Sequence, residues 1–171
     1  TFTNSGSGSC GLYAKDHPVV AGADSCAFCG SAAAPKLYGG VYYVSSANHM
    51  YWLAEQINGG SITGTVNIEL VNDITITADL PWTPIALPDG QSSVFEGNGH
   101  TITLNLESAT ATSGGYGLFS NLNYSTVRNL VLDGSVSANS TDNVGALAAS
   151  AYRTTFENIV SFVDVTNTCT T

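Results

Sequence analysis

The sequence predicts a mainly β protein that folds as a right-handed parallel β-helix, with one short capping helix and a cysteine-containing appendage before it. From residue 61 onward, short alternating apolar segments are separated by Gly, Asn, Asp and Pro. Residues 126–131 (TVRNLV) recur as residues 155–160 (TFENIV), a period of 29 residues. A period of roughly 20–30 residues with several short strands is typical of one solenoid coil, which pairs with the next coil at about 4.8 Å.

The first 36 residues are predicted to be a separate N-terminal arm. They contain the Ser-Gly repeat of residues 5–9 and three of the four cysteines, and their apolar alternation is weak. Since this segment has too few apolar side chains for a core of its own, covalent or metal links are expected to hold it. The β-helix domain is predicted over residues 37–171.

A helix is predicted over residues 47–57 as the N-terminal cap of the solenoid. Residues 41–44 resemble a strand, and Ser45 and Ser46 are suitable capping residues. Asn58-Gly59-Gly60 is a stop signal. Four apolar side chains follow helical spacing: Met50, Leu53, Ala54 and Ile57.

The remaining strands are predicted from alternation, and they leave the C-terminal end uncovered. Strands are expected around the segments 66–70, 74–76, 102–106, 130–132 and 163–165. Two explanations of the uncovered end stay open. Either further coils belong to a longer surface protein, or the end is an assembly surface that takes the N-terminal arm of the next subunit.

Asn129 and Asn158 occupy equivalent repeat positions, which predicts a stacked amide ladder at one corner of the coil. The alternative is that both asparagines only occupy turns, where Asn tolerates a left-handed backbone.

Several segments together resemble a GLUG-type repeat region of secreted or surface-attached proteins. They are residues 95–102 (FEGNGHTI), 117–119 (GLF), 127–130 (VRNL), 144–147 (VGAL) and 156–159 (FENI). The resemblance covers about residues 41–165, although Gly145-Ala146 stands where the family more often has paired glycines. It implies a pectin-lyase-like right-handed β-helix and an extracellular or cell-surface location. It implies little about chemistry, because members are mostly adhesin-like or unassigned.

The cysteines allow two interpretations. Cys10, Cys26, Cys29 and Cys169 form an even set, which favours a disulfide framework in an oxidising compartment. Alternatively, Cys10, His17, Cys26 and Cys29 form a zinc site of spacing C-x6-H-x8-C-x2-C, in which residues 26–30 (CAFCG) resemble half of a zinc knuckle. Zinc is therefore the alternative cofactor, and no other cofactor is expected.

Cys169 lies about four coils from the N-terminal cysteines, or roughly 15–20 Å at 4.8 Å per coil. A disulfide needs Cα atoms within about 7 Å. Either the N-terminal arm folds back along the solenoid, or Cys169 bridges to a neighbouring molecule. Of these, our hypothesis is the head-to-tail bridge.

Composition excludes several classes of function. Four Lys and Arg stand against thirteen Asp and Glu, for a net charge of −9. Four scattered cations cannot neutralise a phosphate backbone, so no nucleic-acid partner is expected. No run of 18 apolar residues occurs, so no membrane insertion is expected.

No catalytic residue is predicted. The aspartates do not recur at the repeat period, and His100 is expected to be a satisfied turn residue beside Gly99. Asn123 and Asn139 begin N-x-S/T acceptor motifs for glycosylation. Aromatic residues near the cap are expected to seal the core, with carbohydrate stacking as the alternative.

We therefore expect a non-enzymatic, extracellular structural or adhesive β-helix module. Its partners would be further copies, neighbouring domains of a larger surface protein, or a glycan or host-protein ligand. Two alternatives remain: a self-assembling filament subunit, and a weak polysaccharide-active enzyme.

Overall fold

The fold is a parallel β-helix closed at one end by a helix. The structure, a computed structural model, describes residues 34–77, 81–108, 115–139 and 142–168. The predicted fold class is confirmed, with about four turns of the solenoid in this part of the chain.

The described elements follow one another in a regular order. They are β1 (Lys36–Tyr38), β2 (Val41–Val44), α1 (Ala47–Asn58), β3 (Asn67–Leu70), β4 (Ile74–Ile76), β5 (Ile85–Ala86), β6 (Val94–Glu96), β7 (Thr101–Ser108), β8 (Phe119–Asn123), β9 (Thr126–Ala138), β10 (Ala148–Tyr152), β11 (Thr155–Ser161) and β12 (Asp164–Asn167).

Strands of successive coils stack into three faces. The first face has the order β1-β2-β3-β6-β9-β11, the second β4-β7-β9-β12, and the third β5-β8-β10. The long strand β9 turns the corner and serves both of the first two faces. All neighbours except β1 and β2 are parallel, as coils wound in one direction require.

The repeat predicts that Val127 and Phe156 are vertical neighbours, and this is confirmed. Phe95, Val127 and Phe156 lie in register in β6, β9 and β11. Phe95 and Val127 are fully buried, and Phe95 meets Phe119 of the third face edge-on with ring centroids 5.4 Å apart. The inward side chains thus form one continuous apolar column.

Helix α1 closes the N-terminal end of this column. Ser46 is its N-cap, and its hydroxyl accepts a hydrogen bond from the His49 N–H at 3.4 Å. The apolar face predicted from spacing is buried: Met50, Leu53, Ala54 and Ile57. Helix and strands therefore share one core.

A hairpin covers the first strand edge. Strand β1 pairs antiparallel with β2 through a two-residue turn at Gly39 and Gly40, both with positive φ (59° and 80°). Since β1 begins at Lys36, the described β structure starts one residue before the boundary predicted between the appendage and the β-helix domain.

Two predicted cap aromatics lie close together in the described structure. Trp82 is 6% exposed, and its indole N–H donates to the Gly117 carbonyl at 2.9 Å. Tyr51 meets Trp82 edge-on with ring centroids 5.3 Å apart. These contacts favour the sealing role over carbohydrate stacking for Trp82.

The C-terminal coil is open. Among the described residues, β11 and β12 pair only with β9. Apolar side chains there lie largely exposed: Phe156, Val160, Phe162 and Val165. Within the described ranges the two ends of the solenoid therefore differ: α1 and β1 close one end, and no described element covers the other.

The helices of the described ranges include none with the length and apolarity needed to cross a bilayer.

Candidate functional site

A column of charged side chains runs down the outside of the first face. Glu69, Glu96, Arg128 and Glu157 lie in register on successive coils, and we name them the charged column. Each follows an inward residue by one position, and the side chains of a strand alternate between faces. The column therefore points outward, beside a shallow cleft of about 260 Å³ that three of its members line.

Glu96 is the centre of this column because it accepts three hydrogen bonds. Arg128 Nε lies 2.6 Å from Glu96 Oε2, while Asn129 Nδ2 and the Asn98 backbone N–H each donate to Oε1 at 2.9 Å. Partial burial raises the pKa of Glu96, but these donors outweigh it and hold the pKa below 4.5. The carboxylate is thus kept ionised, and both of its oxygens accept hydrogen bonds.

A second column of asparagines lies beside the first, at the corner between two faces. Asn98, Asn129 and Asn158 all have a left-handed backbone, with φ of 52°, 53° and 50°. Asn158 Nδ2 donates to Asn129 Oδ1 at 3.0 Å. For Asn129 and Asn158, both interpretations drawn from the sequence therefore apply: the side-chain amides stack, and the backbone adopts turn geometry.

Asn98 belongs to the same column, although its spacing from Asn129 did not predict this. Its Nδ2 donates to Glu69 Oε1 and to the Leu70 carbonyl, each at 2.9 Å. An extra residue, Gly97, separates it from the strand and shifts the spacing by one. The available sequence signal was Glu96-Gly97-Asn98, which aligns with Arg128-Asn129 and Glu157-Asn158 when Gly97 is treated as an insertion.

Asp73 and His100 form a smaller pair at the surface, directly before the strands β4 and β7 of the second face. Asp73 Oδ1 accepts from the Thr101 N–H at 2.9 Å and lies 3.0 Å from His100 Nδ1. The Thr101 hydrogen bond, followed by that of His100, lowers the pKa of Asp73. His100 thus has a partner at a turn between coils. In the described ranges, no group of three or more His, Cys, Asp and Glu is placed to hold a metal ion.

An exposed aromatic corner lies where the third face turns into the first. The Arg153 guanidinium lies over the rings of Tyr124 and Tyr152, 5.4 Å and 5.2 Å from their centroids. Its Nη1 donates to the Tyr124 hydroxyl at 3.1 Å, and the two rings meet edge-on. Tyr124 and Tyr152 remain 40% and 54% exposed, so this aromatic corner offers ring surface and a cation to solvent.

The backbone of the aromatic corner is unusual. Tyr124 and Arg153 have φ of 53° and 49°, a region that non-glycine residues seldom adopt. They are 29 residues apart and thus occupy the same repeat position. This shared period was a sequence signal for the aromatic corner, which was not predicted.

The two glycosylation acceptors differ in their surroundings. Asn123 ends β8 and is half-buried, and the buried Ser125 hydroxyl donates to the Asn123 carbonyl at 3.0 Å. Asn139 follows β9 and is exposed, although the rest of its motif lies outside the described residues.

The cysteine predictions lie outside the described residues. This applies to Cys10, His17, Cys26, Cys29 and Cys169, so both the disulfide framework and the zinc alternative stay predictions.

The coil geometry and its outer columns define a parallel β-helix. The chain matches no protein-family model, no curated protein and no solved structure.

Proposed function

We propose that the chain is an extracellular structural and adhesive β-helix module of a secreted or surface-attached protein of the GLUG-repeat type, and not an enzyme. The observation that carries this proposal is the state of Glu96. Its oxygens accept from Arg128, Asn129 and Asn98, which belong to its own and the next coil. The charged carboxylate therefore stabilises the contact between two successive coils.

A catalytic carboxylate needs different surroundings. A general acid requires a raised pKa, and a nucleophile or base requires a free oxygen aimed at the substrate. Glu96 has a lowered pKa and is engaged at both oxygens. The neighbouring Glu69 accepts from Asn98, another bond between coils. These contacts support a structural role for the charged column.

The aromatic corner supplies the adhesive part of the proposal. Exposed tyrosine rings offer apolar faces to the C–H groups of a sugar, and a guanidinium donates to its hydroxyl or carboxylate groups. Tyr152 is the more exposed ring, and Arg153 has no carboxylate partner among the described ion pairs. We therefore favour a glycan ligand, with a carboxylated sugar as the preferred class.

A glycan array tests the adhesive role. The full chain should bind acidic glycans, and Tyr152→Ala and Arg153→Ala should each reduce the signal at least tenfold. Tyr38→Ala is the matched control, because Tyr38 is an exposed tyrosine at the opposite end of the solenoid. Equal binding by all four proteins, or none by the unaltered chain, would remove the glycan assignment.

The polysaccharide-active alternative has its own test. Incubation with pectin, xylan and alginate should release no new chain ends. Release that disappears in Glu96→Gln would show that the charged column is an active site, contrary to the proposal.

The filament alternative is favoured by the open C-terminal coil with its exposed Phe156 and Phe162. It predicts high-mass species that electron microscopy resolves as fibres. Discrete particles of one chain would argue for the module.

A further inference from the structure

The first face has a strand edge at each end of the solenoid that pairs with no other described element. Strand β1 pairs only with β2 at one end, and β11 pairs only with β9 at the other. Each edge carries an exposed apolar side chain, since Leu37 is 55% and Phe156 is 46% accessible. Both edges therefore offer backbone groups and apolar surface to a further strand.

The two edges are in line with each other along the solenoid. Strand register links Leu37 to Phe156 through the inward residues of β2, β3, β6 and β9. The same register links Lys36, through Tyr43, to the charged column on the outer side, which ends at Glu157. The outer column thus has a cation at one end and an anion at the other, and the inner column has an apolar side chain at both ends.

We propose that β1 of one copy pairs antiparallel with β11 of a second copy, so that the two solenoids stack end to end. The facing residues are Tyr38 with Thr155, Leu37 with Phe156, and Lys36 with Glu157. The antiparallel direction follows from the fold, because β1 runs against β2 whereas β11 runs with it. This inference rests on the structural role proposed above and names a second copy as the partner, independently of any glycan ligand.

The backbone of both edges suits this register. The two-residue turn after Tyr38 makes the pair next to the turn hydrogen-bonded, so the N–H and C=O of Leu37 point away from β2. Thr155 N–H donates to the Ser125 carbonyl of the coil below, so the N–H and C=O of Phe156 point to the open side. Leu37 and Phe156 therefore exchange two hydrogen bonds, as directly opposite residues of an antiparallel pair do.

The side chains of the two edges are complementary in charge. Lys36 and Glu157 are exposed, and neither takes part in an ion pair among the described residues. The Lys36 ammonium lies 5.6 Å from the centroid of the Tyr38 ring and has no described carboxylate partner. Directly opposite residues have Cβ atoms about 4.5–5.5 Å apart, which brings this ammonium to the carboxylate of Glu157. On the inner side, Leu37 covers Phe156.

The two paired segments also match in length. Strand β1 has three residues, and Pro35 before it has no N–H to donate. In β11 the part on the first face is also three residues long, because Asn158 turns the coil with a φ of 50°. Pairing therefore ends at the same point on both strands. The exposed Val160 lies beyond the corner, where β1 does not reach.

Stacking of this kind continues from copy to copy. The contact is heterologous, since each copy contributes a different end, and its repetition gives a filament instead of a closed dimer. Each copy places six strands on the first face: β1, β2, β3, β6, β9 and β11. At about 4.8 Å per strand, the axial rise is roughly 29 Å per copy, which electron microscopy of the fibres measures.

Light scattering of the full chain over a range of concentrations tests the contact. In about 0.15 M salt the Debye length of about 8 Å screens the repulsion between chains of net charge −9 more than it screens a contact pair. The mass of the unaltered chain should rise with concentration. Lys36→Glu and Glu157→Lys should each raise the concentration needed for assembly at least about tenfold, because like charges then face each other.

Charge exchange provides the matched controls. The double variant Lys36→Glu/Glu157→Lys should assemble again, because its two ends carry opposite charges as before. An equimolar mixture of the two single variants should also assemble, because every contact between unlike copies then joins opposite charges. Asp89→Lys makes the same charge change at an exposed turn between β5 and β6, and it should leave assembly unchanged. Circular dichroism verifies that every variant is folded.

Three results would overturn the proposal: the mass of a single chain at every concentration, assembly that Lys36→Glu leaves unchanged, and failure of the mixed single variants to assemble. The first would leave both edges to other occupants, and the second would place the contact elsewhere. A single chain that binds glycans would overturn this inference alone. Assembly without glycan binding would support it and remove only the adhesive part of the proposed function.

Discussion

Asn158 donates a side-chain hydrogen bond to Asn129 directly below it, at 3.0 Å, and both residues have a left-handed backbone. One residue type thus does two things at this corner. It adopts the φ that turns the coil, and its amide joins one coil to the next. Asn129 is the better connected of the two, because it also donates to Glu96.

Replacing Asn129 separates these two roles. Glycine accepts positive φ but has no amide, so Asn129→Gly should lower the free energy of unfolding by about 1–3 kcal/mol through the lost hydrogen bonds. Alanine also opposes the left-handed backbone, so Asn129→Ala should cost about 1 kcal/mol more. Urea unfolding followed by circular dichroism measures both. A glycine variant as stable as the unaltered chain would show that the ladder contributes nothing.

Glu96 should make the stability of the solenoid depend on pH. Folding lowers the pKa of Glu96 below 4.5, so its contribution is complete above that value and is lost as the pH falls through the lower folded pKa. Glu96→Gln should be less stable by about 1–3 kcal/mol at pH 7 and lose less stability on acidification.

The matched control for Glu96 is Glu157→Gln, which alters an exposed carboxylate of the same column one coil beyond Arg128. It should change stability by no more than about 0.5 kcal/mol. Parallel acid-unfolding curves for Glu96→Gln and the unaltered chain would be incompatible with the assigned role of Glu96.

Gly97 has no room for a side chain. A Cβ there would meet the Asn129 carbonyl and lie 2.8 Å from Leu130 Cα, both on the next coil. Since backbone atoms cannot move aside without breaking the stack, Gly97→Ala should cost at least about 3 kcal/mol. Gly90→Ala is the control: its Cβ would meet nothing, and only its φ of 69° opposes alanine, at about 1 kcal/mol. Thermal melts of equal midpoint for both variants would contradict this close approach.

Glycosylation should favour Asn139 over Asn123. Asn139 is exposed after a strand, whereas Asn123 is half-buried and the Ser125 of its motif is buried and hydrogen-bonded. Expression in a glycosylating host, followed by peptide mass mapping, should find Asn139 occupied at higher fraction. Asn139→Gln should remove most of the added mass, and Asn123→Gln should leave it almost unchanged. Preferential occupancy of Asn123 would contradict this order.

The coil architecture was predictable because its cause is local and repeated. Apolar residues at alternate positions and a period of 29 residues set both the inward face and the register of Val127 below Phe156. The helix was predictable for the same reason, since four apolar residues at helical spacing define its buried face.

The outer surface was predictable only in part. Asn129 and Asn158 repeat at the period, but the extra Gly97 displaces Asn98 from it. The convergence of three donors on Glu96 depends on side-chain reach between coils, which no spacing along the chain encodes. The stacking of Arg153 on Tyr124 and Tyr152 depends likewise on backbone turns with positive φ, which the residue types do not favour.

The difference between the two ends gives the solenoid a direction of assembly. Each coil contacts only the coils beside it, so its stability depends on whether a neighbour is already formed. The coil beneath α1 has packing on both sides, whereas β11 and β12 rest on β9 alone among the described elements. We therefore expect the coils to fold in order from the helix outward, with each folded coil serving as the template for the next. Under force or heating, the coils should unfold in the reverse order.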